Sequence, residues 1–306
     1  MKIVFLECVN KSINMSDAHV RNCIELKKYL ESKGHIVDIE YNTTSVFNMK
    51  KDYDVIIVSY ASFYCNHKDI KRIIENNKQA KLYWLTNEYD LSPNGTINKI
   101  FRERGADIIA NFDKSASKIK TFKKHHFLNI NLLLLQENEV QKKKYDICYY
   151  GTFRRDRKEY FKKYINSPDF ILSTSSKNFK KFKAIGCNFK PIGKMKWGEK
   201  KSTLGLFKYS LYIEDKYTHD NFNNLANRFY EALSNGTVIL FDKSCINTLE
   251  KSEISEFDYK RFIIDRIDIS TRNWEEDLKE QQKWKKYLFE CKNKMLEKFE
   301  AIIKGD

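Results

Sequence analysis

The chain is poor in the residues that break up loops, with three prolines and ten glycines among 306 residues. That scarcity excludes a collagen-like or Pro/Gly low-complexity chain. Long apolar runs are also missing. The longest cluster, 127–135, is interrupted by Asn129 and Asn131, well short of the roughly 18 apolar residues that span a membrane. The seven cysteines are an odd number without a CxxC, and the six histidines form no HExxH. A zinc site and a disulfide framework are therefore not expected, and a reducing, cytoplasmic setting is. The opening MKIVFLECVN has one Lys and a short apolar run ended by an acid. It reads as a first strand and not as a secretory signal. Absence of GxGxxG argues against a dinucleotide, absence of GxxxxGK[ST] excludes a P-loop, and absence of GxSxG speaks against a hydrolase elbow.

What the chain does have is positive charge and a regular rhythm. Lys and Arg number 56 against 41 Asp and Glu, a net +15. Such an excess points to polyanionic company: nucleic acid, anionic lipid or phosphorylated ligands. Compositional drift in a Lys- and Asn-rich chain explains it equally well. Short apolar runs alternate with amphipathic stretches. Strands are expected at 2–8, 35–40, 52–60, 81–86 and 106–112, with helices from Ser16 to Gly34 and at 68–77 and 95–104. The polar stretch 136–144 (QENEVQKKK) breaks the rhythm, which then restarts. Strands at 146–151, 170–174, 209–215 and 237–242 alternate with helices at 155–166 and 223–234, and a Lys- and Glu-rich helix fills about 270–304. Strand–helix alternation of this kind predicts parallel sheets covered by helices on both faces. The expected fold is α/β, with two doubly wound, Rossmann-like domains facing across a cleft and a long C-terminal helix. The domains are placed at 1–140 and 145–306.

Three places carry candidate chemistry, because ligands of such sheets bind beyond the carboxyl ends of the strands. Tyr150-Gly151-Thr152-Phe153-Arg154-Arg155-Asp156-Arg157-Lys158 directly follows a strand. A glycine there permits a tight turn, and arginines at a helix start can clamp a diphosphate. A solvated basic first turn is the plain alternative. The second place is Asp220-Asn221-Phe222 followed by Asn227 to Gly236, where Arg228 and Glu231 share a helix face. A cation for phosphate and a carboxylate for ribose hydroxyls would meet there; an ordinary helix ion pair has the same spacing. Third, Asn87-Glu88-Tyr89-Asp90 follows the strand KLYWLT, and a carboxylate there can serve as a general base, or simply cap a loop.

Taken together, these blocks resemble the T-even phage DNA β-glucosyltransferases, two-domain GT-B enzymes. The likeness includes the opening MKI, Gly34 and Val37-Asp38-Ile39, Lys81 to Leu85, and Asp146-Ile147 leading into Gly151-Thr152-Phe153-Arg154. It continues through Gly193-Lys194, Glu214-Asp215-Lys216, Asp220-Asn221-Phe222 and Arg228/Glu231, and ends in Val238 to Asp242. The resemblance implies an inverting transfer of glucose from UDP-glucose to a hydroxymethylated base, such as 5-hydroxymethylcytosine, in duplex DNA of a phage-infected bacterium. A GT-B enzyme acting on a cell-surface polysaccharide or lipid is the alternative. By the resemblance, Arg154 and Arg228 hold the diphosphate, with Arg157 or Lys158 as a further phosphate cation. Thr152 lies near the phosphates, Met195 meets uracil through its backbone, and Glu231 holds the ribose. Glu88 stands where the family has its catalytic aspartate, with Asp90 as the second candidate. Asn22 stands where the family has an acid near the donor sugar. The acceptor-side domain is then 1–140 and the nucleotide-sugar domain 145–306. Lys120, Lys123, Lys124, Lys180 and Lys181 are the candidate DNA contacts. The sequence shows no metal-ligand cluster, although a divalent metal assisting UDP release is compatible with the class. Phe179 and Phe182 are expected to form a packed helix face and not a base-stacking surface.

Overall fold

The computed structural model describes residues 1–7, 18–41, 52–59, 67–86, 95–112, 122–164, 170–187, 189–196, 202–214 and 225–305. The chain divides into two compact units, residues 1–133 with 291–306, and residues 134–290.

The first unit runs β1 (Lys2–Glu7), α1 (Ala18–Ser32), β2 (Ile36–Tyr41), β3 (Val55–Ser59), α2 (His67–Asn76), β4 (Lys81–Thr86), α3 (Gly95–Arg104), β5 (Asp107–Ala110) and β6 (His125–Phe127). Its sheet is parallel throughout, in the order β2-β1-β3-β4-β5-β6. The central strands are buried on both faces, which is why they read as continuous apolar runs instead of alternating. The apolar cluster after β6 is a buried 3-10 turn, Ile130–Leu134, and not a strand.

The second unit runs β7 (Tyr145–Tyr150), a 3-10 turn at Arg155–Arg157, α4 (Lys158–Phe161), β8 (Phe170–Ser173), α5 (Ser176–Ala184), β9 (Lys190–Ile192), β10 (Phe207–Tyr212), α6 (Asn227–Ser234), β11 (Val238–Asp242), α7 (Ile246–Leu249) and β12 (Ile263–Ile264). Its parallel sheet has the order β12-β11-β10-β7-β8-β9. Counted from β7 as the first strand, this is the 3-2-1-4-5-6 order of the dinucleotide-type doubly wound fold, and the order reverses between β7 and β10. The expected pair of Rossmann-like units is present, as is the long terminal helix, α8 (Trp274–Lys304).

Several details differ from the sequence expectation. Over its described residues, 155–164, the helix expected at 155–166 is a 3-10 turn followed by the four-residue α4, beyond which the Tyr164 hydroxyl donates to buried Asp242. The segment 136–144 is polar because it hydrogen-bonds along the second unit. The Gln136 amide donates to Ser234, Gln141 to the Ser202 carbonyl, and Lys143 to the carbonyls of Gly205 and Gly236. The division therefore falls at 133/134 and not at 140/145.

The terminal helix also corrects the placement of all of 145–306 in one domain, since its residues from 291 onward belong to the first unit. Within the second unit, buried Asp277 accepts from Arg261 and from Arg272 Nε, each at 2.8 Å, and the Gln281 amide brackets both backbone groups of Ile239. Within the first unit, the Glu300 carboxylate meets Lys304 Nζ at 2.6 Å, His35 Nε2 at 3.1 Å and the Tyr29 hydroxyl at 3.2 Å. These partners, Lys304 foremost, lower the Glu300 pKa from 4.5 to about 2. A depressed carboxylate stabilises the fold fully above its unfolded pKa, and the contribution fades as pH falls through the folded one. Acid is thus expected to loosen this end of α8 between pH 4.5 and 2. Limited proteolysis across that range should report it, and Glu300→Gln should flatten the dependence.

Candidate functional site

In the second unit the candidate residues converge where the strand order reverses. Side chains alternate along β7, so its last two residues face opposite layers. Tyr149 packs edge-on against Phe161 of α4 at 4.7 Å between ring centroids. Tyr150 turns to α6, where its hydroxyl donates to Glu231 Oε2 at 3.0 Å and to the Arg228 carbonyl at 3.0 Å. Burial, and then the nearby Glu231 carboxylate, push the Tyr150 pKa well up, so the phenol stays a donor.

Two guanidinium groups meet at this point. Arg157, only 5% exposed, donates to the Tyr149 hydroxyl at 3.1 Å, and its Nη2 lies 4.0 Å from Glu214. Arg228 donates to the Ile213 carbonyl at 2.8 Å and to the same Tyr149 hydroxyl at 3.4 Å, and lies 3.5 Å from Glu214. Its guanidinium also sits over the Tyr149 and Tyr212 rings, at 5.5 and 5.7 Å from their centroids. Glu214, just past β10 and 1% exposed, is thus shared between two arginines. Burial opposes the charge on Arg228 and Arg157 adds to that opposition, but Tyr149, Glu214 and Tyr212 outweigh both and raise its pKa. Arg228 is therefore charged, and both guanidinium groups are held by partners within the protein.

Helix α6 begins beside them. Its N-cap is Ala226, a residue whose own side chain has no capping group. The Ala226 amide donates to the Tyr212 hydroxyl at 2.7 Å. A helix start next to two guanidinium groups is suited to an anion.

Gly151 makes this approach feasible. Its φ is +142°, and a Cβ there would lie 3.1 Å from Arg228 Nη1 and 3.4 Å from the Tyr149 hydroxyl. The turn is locked by Gly151 N–H to Ser173 O at 3.2 Å and by Thr174 Oγ1 to Gly151 O at 2.7 Å. Gly151→Ala combines backbone strain with a contact on Arg228 and is expected to cost about 1–3 kcal/mol. At Gly34, which also has positive φ, an added Cβ meets nothing within 4 Å. A urea melt should therefore show a larger loss for Gly151→Ala than for Gly34→Ala.

Of the other sequence candidates, Thr152, Arg154 and Lys158 are exposed beside this turn, with Arg154 at the N-cap of the 3-10 turn. Met195 is buried, three residues past β9. Glu231 is buried on the Tyr150 side. Thus Arg157, and not Arg154, touches the same groups as Arg228. Glu88, Asp90 and Lys120 lie outside the described residues. Lys123, Lys124, Lys180 and Lys181 are exposed. Phe182 is fully buried, as a packed face requires.

Sequence reasoning gave no role to Tyr149, Tyr150 or Glu214. The signal for Glu214 was its position, an acid directly beyond a buried strand. In the first unit, at the corresponding point between β1 and β3, buried Glu7 accepts from the Ser59 hydroxyl at 2.7 Å and contacts Cys23 Sγ at 3.6 Å. Asn22 on α1 is 1% exposed. Among the described residues no group of three His, Cys, Asp or Glu is arranged to hold a metal, and no helix is long and apolar enough to cross a membrane.

No family model matches this chain, and no curated protein matches it. Among solved structures, the UDP-GlcNAc 2-epimerase from Methanocaldococcus jannaschii matches with a TM-score of 0.46 and 11% identity, over 97% of this chain and 93% of that chain.

Proposed function

We propose that the protein is a nucleotide-sugar enzyme, an inverting GT-B glycosyltransferase that moves glucose from UDP-glucose to a hydroxymethylated base in duplex DNA. The observation that carries the nucleotide part is the Arg157–Glu214–Arg228 cluster, with Arg157 and Glu214 buried and Arg228 half-buried, at the start of α6 and the strand-order reversal of the second unit. A diphosphate suits two neighbouring guanidinium groups at the start of a helix. The resemblance to the phage DNA glucosyltransferases supports the donor, the acceptor and the base.

In this reading Arg157 and Arg228 bind the diphosphate, with Arg154, Lys158 and Thr152 exposed next to it. Glu231 takes the ribose hydroxyls and is oriented by Tyr150, and the backbone at Met195 takes the uracil. Glu88, or Asp90, removes the proton from the acceptor hydroxyl as that oxygen attacks the anomeric carbon. The bond from the anomeric carbon to the UDP oxygen breaks on the opposite side, which inverts the configuration. Negative charge grows on the departing UDP, where fixed donors are worth about 3–4 kcal/mol each. A target base in a duplex must leave the stack to reach such a site.

The test is transfer of labelled glucose from UDP-glucose to duplex DNA with or without 5-hydroxymethylcytosine. Label should enter only the modified duplex and be lost in Glu88→Ala. UDP binding without transfer to any DNA would retain the donor site and remove the DNA acceptor.

A further inference from the structure

The positive charge of this protein is not spread evenly. Between Arg154 and Lys196 there are thirteen Lys and Arg against three Asp and Glu, a net +10 of the chain's +15. Outside that segment forty-three Lys and Arg face thirty-eight Asp and Glu. Compositional drift toward lysine raises a whole chain and does not select one stretch. Twelve of the thirteen cations are exposed, and only Arg157 is buried.

The fold gathers these cations on one side. Strands β7, β8 and β9 lie next to one another in that order. Right-handed crossovers between them put α4 and α5 on the same face of the sheet. The Phe182 ring of α5 packs 5.0 Å from Phe153 and 5.1 Å from Phe161. The 3-10 turn, α4 and α5 therefore turn their apolar sides toward each other and their cations outward. On α5, Lys177, Lys180 and Lys181 form one exposed stripe at spacings of three and four residues. Acids offset Lys162 and Lys163, through Glu159 and Asp242. Among the described residues the α5 lysines have no such partner. Like charges at this spacing destabilise a helix, so the stripe works against its own fold unless a polyanion neutralises it.

We infer that this α4–α5 face grips the phosphate backbone of duplex nucleic acid, beside the nucleotide site and separate from it. The inference rests on the reading of DNA as acceptor and adds where the duplex is held. An anionic membrane fits the charge but not the surface. Helices that lie on membranes bury apolar side chains in the lipid, and among the described residues none of the exposed large apolar side chains falls between 154 and 196.

The experiment compares full-length wild type with a K177E/K180E/K181E variant for binding of a short unmodified duplex across a salt series. A second variant, K78E/K286E/K294E, makes the same change in net charge at exposed sites elsewhere. Each phosphate contact contributes about 0.9 to the slope of log K against log salt, so the face variant should lose roughly 2.7 in slope and at least ~100-fold in affinity at low salt. The dispersed variant should lose much less. Equal losses in the two variants would reduce the effect to overall charge and overturn the assignment. So would loss of binding to phosphatidylserine vesicles with duplex binding unchanged. UDP binding, measured by calorimetry on the same samples, should be unaffected by the face variant. Absence of UDP binding in the wild type would refute the donor site, while the duplex series would still decide the face.

Discussion

Arg228→Ala is expected to weaken UDP binding by at least ~100-fold in a chain that still folds. The guanidinium is fixed by the Ile213 carbonyl, the Tyr149 hydroxyl and Glu214. A ligand therefore gains its hydrogen bonds with little further ordering of the side chain. A hydrogen bond to a charged partner is worth about 1.5–3 kcal/mol, so two of them amount to a factor of a hundred or more. Arg157 remains within 4.0 Å of Glu214 in the variant, so the carboxylate keeps a counter-charge and the unit keeps its core. Arg228→Lys retains the charge but not the fork and should fall between the two. Calorimetric titration with UDP, with circular dichroism as the folding control, decides the matter. Wild-type affinity in a folded Arg228→Ala protein would mean that the cluster is not the donor site.

Glu214→Ala should have the largest effect on stability. It leaves the buried Arg157 and the half-buried Arg228 guanidinium groups together without the carboxylate they share. Removing one partner from a buried charge cluster costs about 3–5 kcal/mol, enough to lower the melting temperature clearly. A diphosphate brings back the missing negative charge. UDP or inorganic pyrophosphate should therefore raise the melting temperature of Glu214→Ala more than that of the wild type, since a ligand bound only by the folded state stabilises by mass action. Glu214→Gln keeps the shape and should lie in between. If Glu214→Ala melts like the wild type, the three side chains do not act as a unit.

The candidate site was legible in part, and the limits are physical. Arg228 and Glu231 stood out because a helical spacing of three puts two side chains on one face whatever the surrounding fold. The arginines after β7 stood out because they follow a buried strand. Which of them turns inward was not readable. Arg154, Arg155, Arg157 and Lys158 are all basic, and a short 3-10 turn, not a regular helix, aims Arg157 at Tyr149. Glu214 lies 57 residues along the chain from Arg157, a distance that local pattern does not bridge. The short strands β6, β9 and β12 were invisible for another reason. Two or three residues carry too little periodicity to signal a strand.

The sequence by itself determined the strand–helix alternation, the doubly wound class of each half and the concentration of positive charge, because these rest on periodicity and composition. The order of strands was decided only by the tertiary structure. That order brings the ends of β7 and β10 together, so that Gly151, Arg157, Glu214 and Arg228 share one site. The same holds for the terminal helix, which one hydrophobic pattern marks as a single element. It belongs to two units because Asp277 and Gln281 find partners in the second and Glu300 in the first.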